Sequence, residues 1–141
     1  MRNLERFLYV QNRTHEQAVE EIRNGKKISH WMWYTFPQIQ GLGESDYSVF
    51  YAIDDLDEAT RYLNHDILGP RLKKISQELL KLKINDPVEI FGKLDSLKLK
   101  SCMTLFAYIE KNGIFEEVLN KYYEGEKDEK TIQILERTYR N

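Results

Sequence analysis

The stretch Ser29-His30-Trp31-Met32-Trp33-Tyr34-Thr35-Phe36-Pro37-Gln38 brings an imidazole, four aromatic rings and a carboxamide into ten positions whose spacing suits neither a regular helix nor a regular strand. His30 is of a type that serves as general acid or base, or as a donor orienting a bound group. The ordinary alternative is a packed histidine satisfied by a backbone carbonyl. Trp33 offers a face for stacking a base or sugar, although large aromatics are also common core anchors, and at least two of the four rings are expected to be buried for packing alone. Gln38, after Pro37, supplies both a donor and an acceptor, which suits an amide-bearing ligand or the closing of a loop.

A second constellation follows Asp95. At ~100° per residue, Lys98, Ser101, Thr104 and Tyr108 fall within an arc of about 120° on one helix. Leu94, Leu99, Cys102, Met103, Leu105, Phe106 and Ile109 take up most of the remaining circumference. A helix so widely apolar belongs at the centre of the fold, and its polar stripe then faces solvent or lines a cavity. In a cavity, Lys98 would attract a phosphate or carboxylate, with Ser101 and Thr104 as hydroxyl ligands. Otherwise Lys98 snorkels and the hydroxyls bond back to the carbonyl four residues earlier. Arg71 is a third candidate for clamping an anion, while His65, before Asp66, reads as a cap. His15, His30 and His65 are far apart and there is no HExxH or Cys/His pair, so no metal is expected. No cofactor is expected either. Cys102 sits among apolar residues as packing, and Gly41-Leu42-Gly43 lacks the lysine and spacing of a phosphate-binding loop.

These groups need helices to position them. Leu4, Phe7 and Leu8 stripe a first short helix; Thr14 with Gln17 reads as a capping box opening a second, which ends near Gly25. Ser29 to Gly43 forms an ordered loop with one helical turn at most, broken by Pro37, Gly41 and Gly43. Tyr47, Phe50 and Tyr51 mark a short helix, and Asp55 or Asp57 caps another through Leu63. Gly69-Pro70 opens the helix carrying Leu68, Leu72, Ile75, Leu79 and Leu82. Asp86-Pro87 begins a turn ending at Gly92, and Asp95 or Ser96 starts the central helix. Phe115 to Tyr123 forms the next. Asp128 caps the last, which bears Ile132, Leu135 and Tyr139. Strand-like alternation is scarce, so the expected fold is all-α: one domain over residues 1–141, with seven or eight short helices and an ordered aromatic loop.

Bulk composition narrows the function. In 141 residues, 21 basic and 23 acidic side chains give a net charge of −2, which provides no global drive toward nucleic acid. One cysteine excludes a disulfide framework. The charged start, Met1 to Arg6, and the lack of an apolar run near ~18 residues point away from a signal sequence or membrane span, so a cytoplasmic protein is expected.

The runs SHWMWYTFPQIQGLG, YLNHDILGPRL and DSLKLKSCMTLF, with the IFG at Ile90 to Gly92, resemble the bacterial family called domain of unknown function 1810, along essentially the whole chain. Some members carry a calpastatin-like label, which fits poorly with a chain that has no disordered inhibitor repeats. The resemblance implies a compact all-helical intracellular protein with polar motif residues at His30, Gln38, His65, Arg71, Lys98, Ser101 and Thr104. It implies no reaction.

The functional expectation is a pocket for an anionic small molecule, nucleotide-like or sugar-phosphate, between the Ser29 to Gln38 block and the Lys98 helix. Trp33 would stack the ligand, Gln38, Ser101 and Thr104 would contact it, and Lys98 and Arg71 would hold its charge. If the ligand is hydrolysed, His30 is the acid or base. The rival expectation is a non-catalytic interaction or homodimerisation domain built on the aromatic block.

Overall fold

The computed structural model describes residues 3–140, with side chains through Arg137, so the position of Tyr139's side chain lies outside the described part. The chain is all-α. Its helices are α1 (Glu5–Arg23), α2 (Met32–Thr35), α3 (Asp46–Phe50), α4 (Leu56–Asn64), α5 (Leu68–Lys81), α6 (Pro87–Phe91), α7 (Lys93–Ile109), α8 (Ile114–Tyr123) and α9 (Glu129–Arg140). Among the described residues the one β-type pairing is an isolated parallel bridge, Ile39 with Ile53, which ties the segment after the aromatic block to the entry of α4.

The helix ends follow their side chains. Asp55, Asp86 and Asp128 accept the backbone N–H of Glu58, Val88 and Thr131 at 2.8, 2.9 and 3.0 Å, and so cap α4, α6 and α9. His65 Nδ1 accepts the N–H of Ile67 and Leu68 at 3.0 and 3.2 Å and so holds the turn that enters α5. Gly25, at φ 75°, ends α1: its N–H reaches Ile22 O and that of Lys26 reaches Glu21 O.

Two boundaries differ from expectation. The stripe at Leu4 to Leu8 and the box at Thr14 belong to a single helix, α1, because no glycine or proline interrupts Tyr9 to Arg13. Thr14 instead donates to Val10 O as a residue inside a helix does, and Gln17 reaches Ser29 and Glu21. Helix α7 starts at Lys93, directly after Gly92 at φ 82°, so Asp95 and Ser96 lie in its first turn rather than capping it.

Helix α7 touches α4, α6, α8 and α9, and α5 packs against α1, α4 and α8. Leu68, Leu72, Ile75 and Leu79 are buried as their spacing demands. Leu94, counted among the apolar face of α7, is instead 74% exposed at the first turn. A buried ion pair adds a constraint: Arg6 meets both oxygens of Glu58 at 2.9 and 2.8 Å, with side-chain exposures of 6% and 0%. The same guanidinium donates to Phe50 O and Ala52 O, and thereby seats the segment after α3 against α1 and α4.

Candidate functional site

The aromatic block is held by one carboxylate. Glu21, near the end of α1, accepts five hydrogen bonds: from the N–H groups of Ile28 and Ser29, the Ser29 hydroxyl, the Trp31 indole and the Gln17 amide, at 2.7 to 3.1 Å. Burial alone would push its carboxyl up, but the bonds from Ser29, Ile28 and Trp31 outweigh that and hold it at about 2. With that anchor, Trp31, Tyr34 and Phe36 turn into the core, Trp31 meeting Phe91 edge-on. Trp33, on the other side of the one-turn helix α2, stays half-buried. The sequence signal for Glu21 was a charge sharing the inward face of Ala18 and Ile22.

Trp33 forms one wall of a half-open cleft of about 310 Å³. The loop from Gln38 to Gly43 supplies a second wall, Ser48 to Ala52 a third, and Leu94, Leu97, Lys98 and Ser101 of α7 the floor; Asp128 and Lys130, where α9 begins, close one end. The Lys98 ammonium lies 4.7 Å from the Trp33 ring centre and 3.1 Å from Asp95 Oδ1. Asp95 Oδ2 is also 2.9 Å from Lys27 Nζ, a lysine that is itself almost buried and sits 5.2 Å from the Trp31 ring. Burial would push the Asp95 carboxyl up, yet its bonds from Lys27 and Lys98 prevail and keep it below its ordinary value. One carboxylate thus serves two ammonium groups, of which that of Lys98 lines the cleft.

Tyr47 stacks on the Trp33 ring at 5.3 Å and 26°, and the Lys98 ammonium lies over it. The ring's buried Nε1–H, in contrast, has no acceptor among the described residues.

Of the residues singled out in the sequence, Trp33, Gln38, Lys98 and Ser101 meet at this cleft. Ser101 and Thr104 donate back to Leu97 O and Lys100 O. Thr104 is fully buried and accepts the Asp128 N–H at 2.9 Å, which pins the start of α9 instead of lining the cleft. His30 is exposed and outside the lining, its carbonyl accepting the Tyr34 hydroxyl. Arg71 is on α5, away from the cleft, bonded to Asn12 at 2.8 Å; with burial, it holds the His15 imidazole below its ordinary value. Cys102 is buried, which pushes its thiol up. Among the described residues, no three His, Cys, Asp or Glu side chains gather at metal-binding spacing. Ser48, Asp128 and Lys130 join the site only through the tertiary fold. Ser48 and Lys130 gave no sequence signal, and Asp128 was legible only as a helix cap.

Fold and cleft together define a compact all-helical protein with a cation-bearing surface cleft beside a buried aromatic cluster. The chain belongs to the family described as protein of unknown function (DUF1810), whose model matches residues 1–135. It is similar to the crystal structure of the conserved hypothetical protein Rv1873 from Mycobacterium tuberculosis, with 46% identity over 94% of this chain and 96% of that one, and a TM-score of 0.91. No curated protein matches the chain. No helix among the described residues is long and apolar enough to cross a membrane.

Proposed function

We propose that the protein binds a small anionic molecule, a sugar phosphate or a mononucleotide, in the cleft between the Trp33 to Gly43 segment and α7. The observation that carries the reading is Lys98, which lines the concave site and shares its one carboxylate partner, Asp95, with the ammonium of Lys27. A volume of about 310 Å³ is at the lower end of the ~300–1,000 Å³ of typical ligand sites, which suits one sugar-sized body. Leu42, Ala52 and Leu97 supply apolar contact, and Gln38, Ser48 and Ser101 supply polar partners. We assign binding rather than hydrolysis. His30 is outside the cleft, and Asp128, the single carboxylate of the lining, has one oxygen committed to both the N–H and hydroxyl of Thr131.

A thermal-shift panel of nucleotides, sugar phosphates and inorganic anions on wild type and Lys98→Ala tests the proposal. A ligand at ~100 times its Kd stabilises the folded state by roughly 2.7 kcal/mol, a shift of several degrees. The shift should be seen in wild type and lost in Lys98→Ala. No shift across the panel, or an equal one in the variant, overturns it.

One observation favours the interaction-domain reading. Tyr47, Val49 and Phe50 of α3 are exposed, and Phe50 shares a hollow with the exposed Tyr9 of α1. This surface replaces the aromatic block as the interface candidate, since Trp31 is buried and its loss would report on folding. A dimer by light scattering, reduced to monomer by Phe50→Ala, would support that reading.

A further inference from the structure

We infer that the ligand carries an anionic group at each of two ends, as a sugar or nucleoside bisphosphate does, and that the second group is received by Lys130 and Arg137. The inference rests on the proposed binding of an anion in the main cleft.

A second hollow, of about 270 Å³, adjoins that cleft and is lined by Gln40, Gly41, Lys130, Ile134 and Arg137. Gly41 and Lys130 line both, so the two hollows meet at these residues. The divide includes bare backbone at Gly41, which takes φ 97°, a conformation that L side chains rarely adopt. A Cβ there would meet nothing nearer than Ile134 Cδ1 at 3.5 Å, an ordinary contact. It is therefore the backbone turn, not crowding, that calls for glycine and keeps the passage free of a side chain.

Charge separates the second hollow from an incidental groove. Its lining holds two cations and no carboxylate, and among the described residues neither Lys130 nor Arg137 is in an ion pair. Lys130, Ile134 and Arg137 fall at i, i+4 and i+7, one face of α9, which sets the Cα positions of the two cationic residues two turns or ~10 Å apart along the axis. The stripe runs from the end of the main cleft outward. Lys98 at the floor and Arg137 at the far end thus offer two separate positive stations, with Lys130 between them and a sugar-sized space on the Lys98 side. A guanidinium is suited to bidentate capture of a terminal phosphate.

The experiment compares matched ligands by calorimetry: glucose 6-phosphate with glucose 1,6-bisphosphate, and adenosine 5′-monophosphate with adenosine 3′,5′-bisphosphate. Wild type, Lys98→Ala, Arg137→Glu and Lys130→Glu are each titrated, with circular dichroism confirming the fold. In wild type, one bisphosphate should bind about tenfold or more tightly than its monophosphate. In Arg137→Glu that ratio should fall to near one. Equal affinities in wild type, or an advantage that survives in Arg137→Glu, overturns the inference, and Lys130→Glu should lower the advantage as well. If a monophosphate binds wild type but not Lys98→Ala while the bisphosphate gains nothing, the main cleft stands and only the second station falls. If neither ligand type binds wild type, the main-cleft reading fails and the second station with it.

Discussion

Removing the Glu21 carboxylate should detach the Ser29 to Trp31 segment, and the cost can be worked from its partners. Glu21→Ala strands the indole N–H of Trp31, a fully buried ring, and the N–H groups of Ile28 and Ser29, which are nearer solvent. One fully stranded donor at ~1–3 kcal/mol, with two partly rehydrated ones, gives about 3 kcal/mol. Glu21→Gln should cost less, about 1–2 kcal/mol: its amide oxygen can keep the three N–H donors, and its NH₂ faces Ser29 Oγ, which can turn to accept. Acid provides an independent measure. The carboxyl moves from 4.5 to about 2 on folding, worth roughly 3 kcal/mol at ~1.4 kcal/mol per pH unit, and solvent beside the half-exposed Ser29 reduces this to about 2. Because the folded value is the lower one, this stability is fully present above about pH 4.5 and is lost as the pH falls toward 2. Urea denaturation followed by tryptophan fluorescence, at pH 7 and pH 3, should therefore show a gap between wild type and Glu21→Ala that narrows in acid. Other titrating groups, Glu78 among them, are common to both proteins and cancel in the difference. A cost below about 1 kcal/mol at pH 7, or a gap that is unchanged at pH 3, would refute the assignment of Glu21 as the anchor.

Three further outcomes follow from the packing. Arg6→Met leaves Glu58 buried without its partner and should cost roughly 3–5 kcal/mol in denaturant melts, with the double variant Arg6→Met, Glu58→Gln less destabilised than the two singles summed. Gly69→Ala would drive a Cβ into Leu63 O, a backbone atom that cannot swing aside, so a loss of about 3 kcal/mol is expected from thermal unfolding. Cys102 is fully buried, and it should react with an aromatic disulfide reagent at neutral pH only as fast as the protein opens, whereas rapid labelling of the folded protein would contradict its place in the core.

What the sequence alone determined is what depends on neighbours a few residues apart. The stripe on α5, the caps at Asp55, Asp86 and Asp128, and the glycine stop of α1 could be read because helix periodicity and capping act within about one turn. Trp33, Gln38, Lys98 and Ser101 could be marked for the same reason, as two local constellations with chemistry to spare. That they share a pocket was an expectation no local pattern could establish, and it is the path of the chain that brings them together. Only the tertiary structure decided that Asp95 joins Lys98 to Lys27, that Thr104 faces α9 rather than the cleft, and that His30 and Arg71 lie elsewhere. The same holds for Arg6 with Glu58, which stand 52 positions apart, and for Lys130 and Arg137, whose stripe reads as an ordinary solvated helix face until α9 docks beside Gly41. Local geometry fixes which face of a helix a side chain occupies. What that face meets is set by the long-range burial of apolar surface, which no short stretch of sequence encodes.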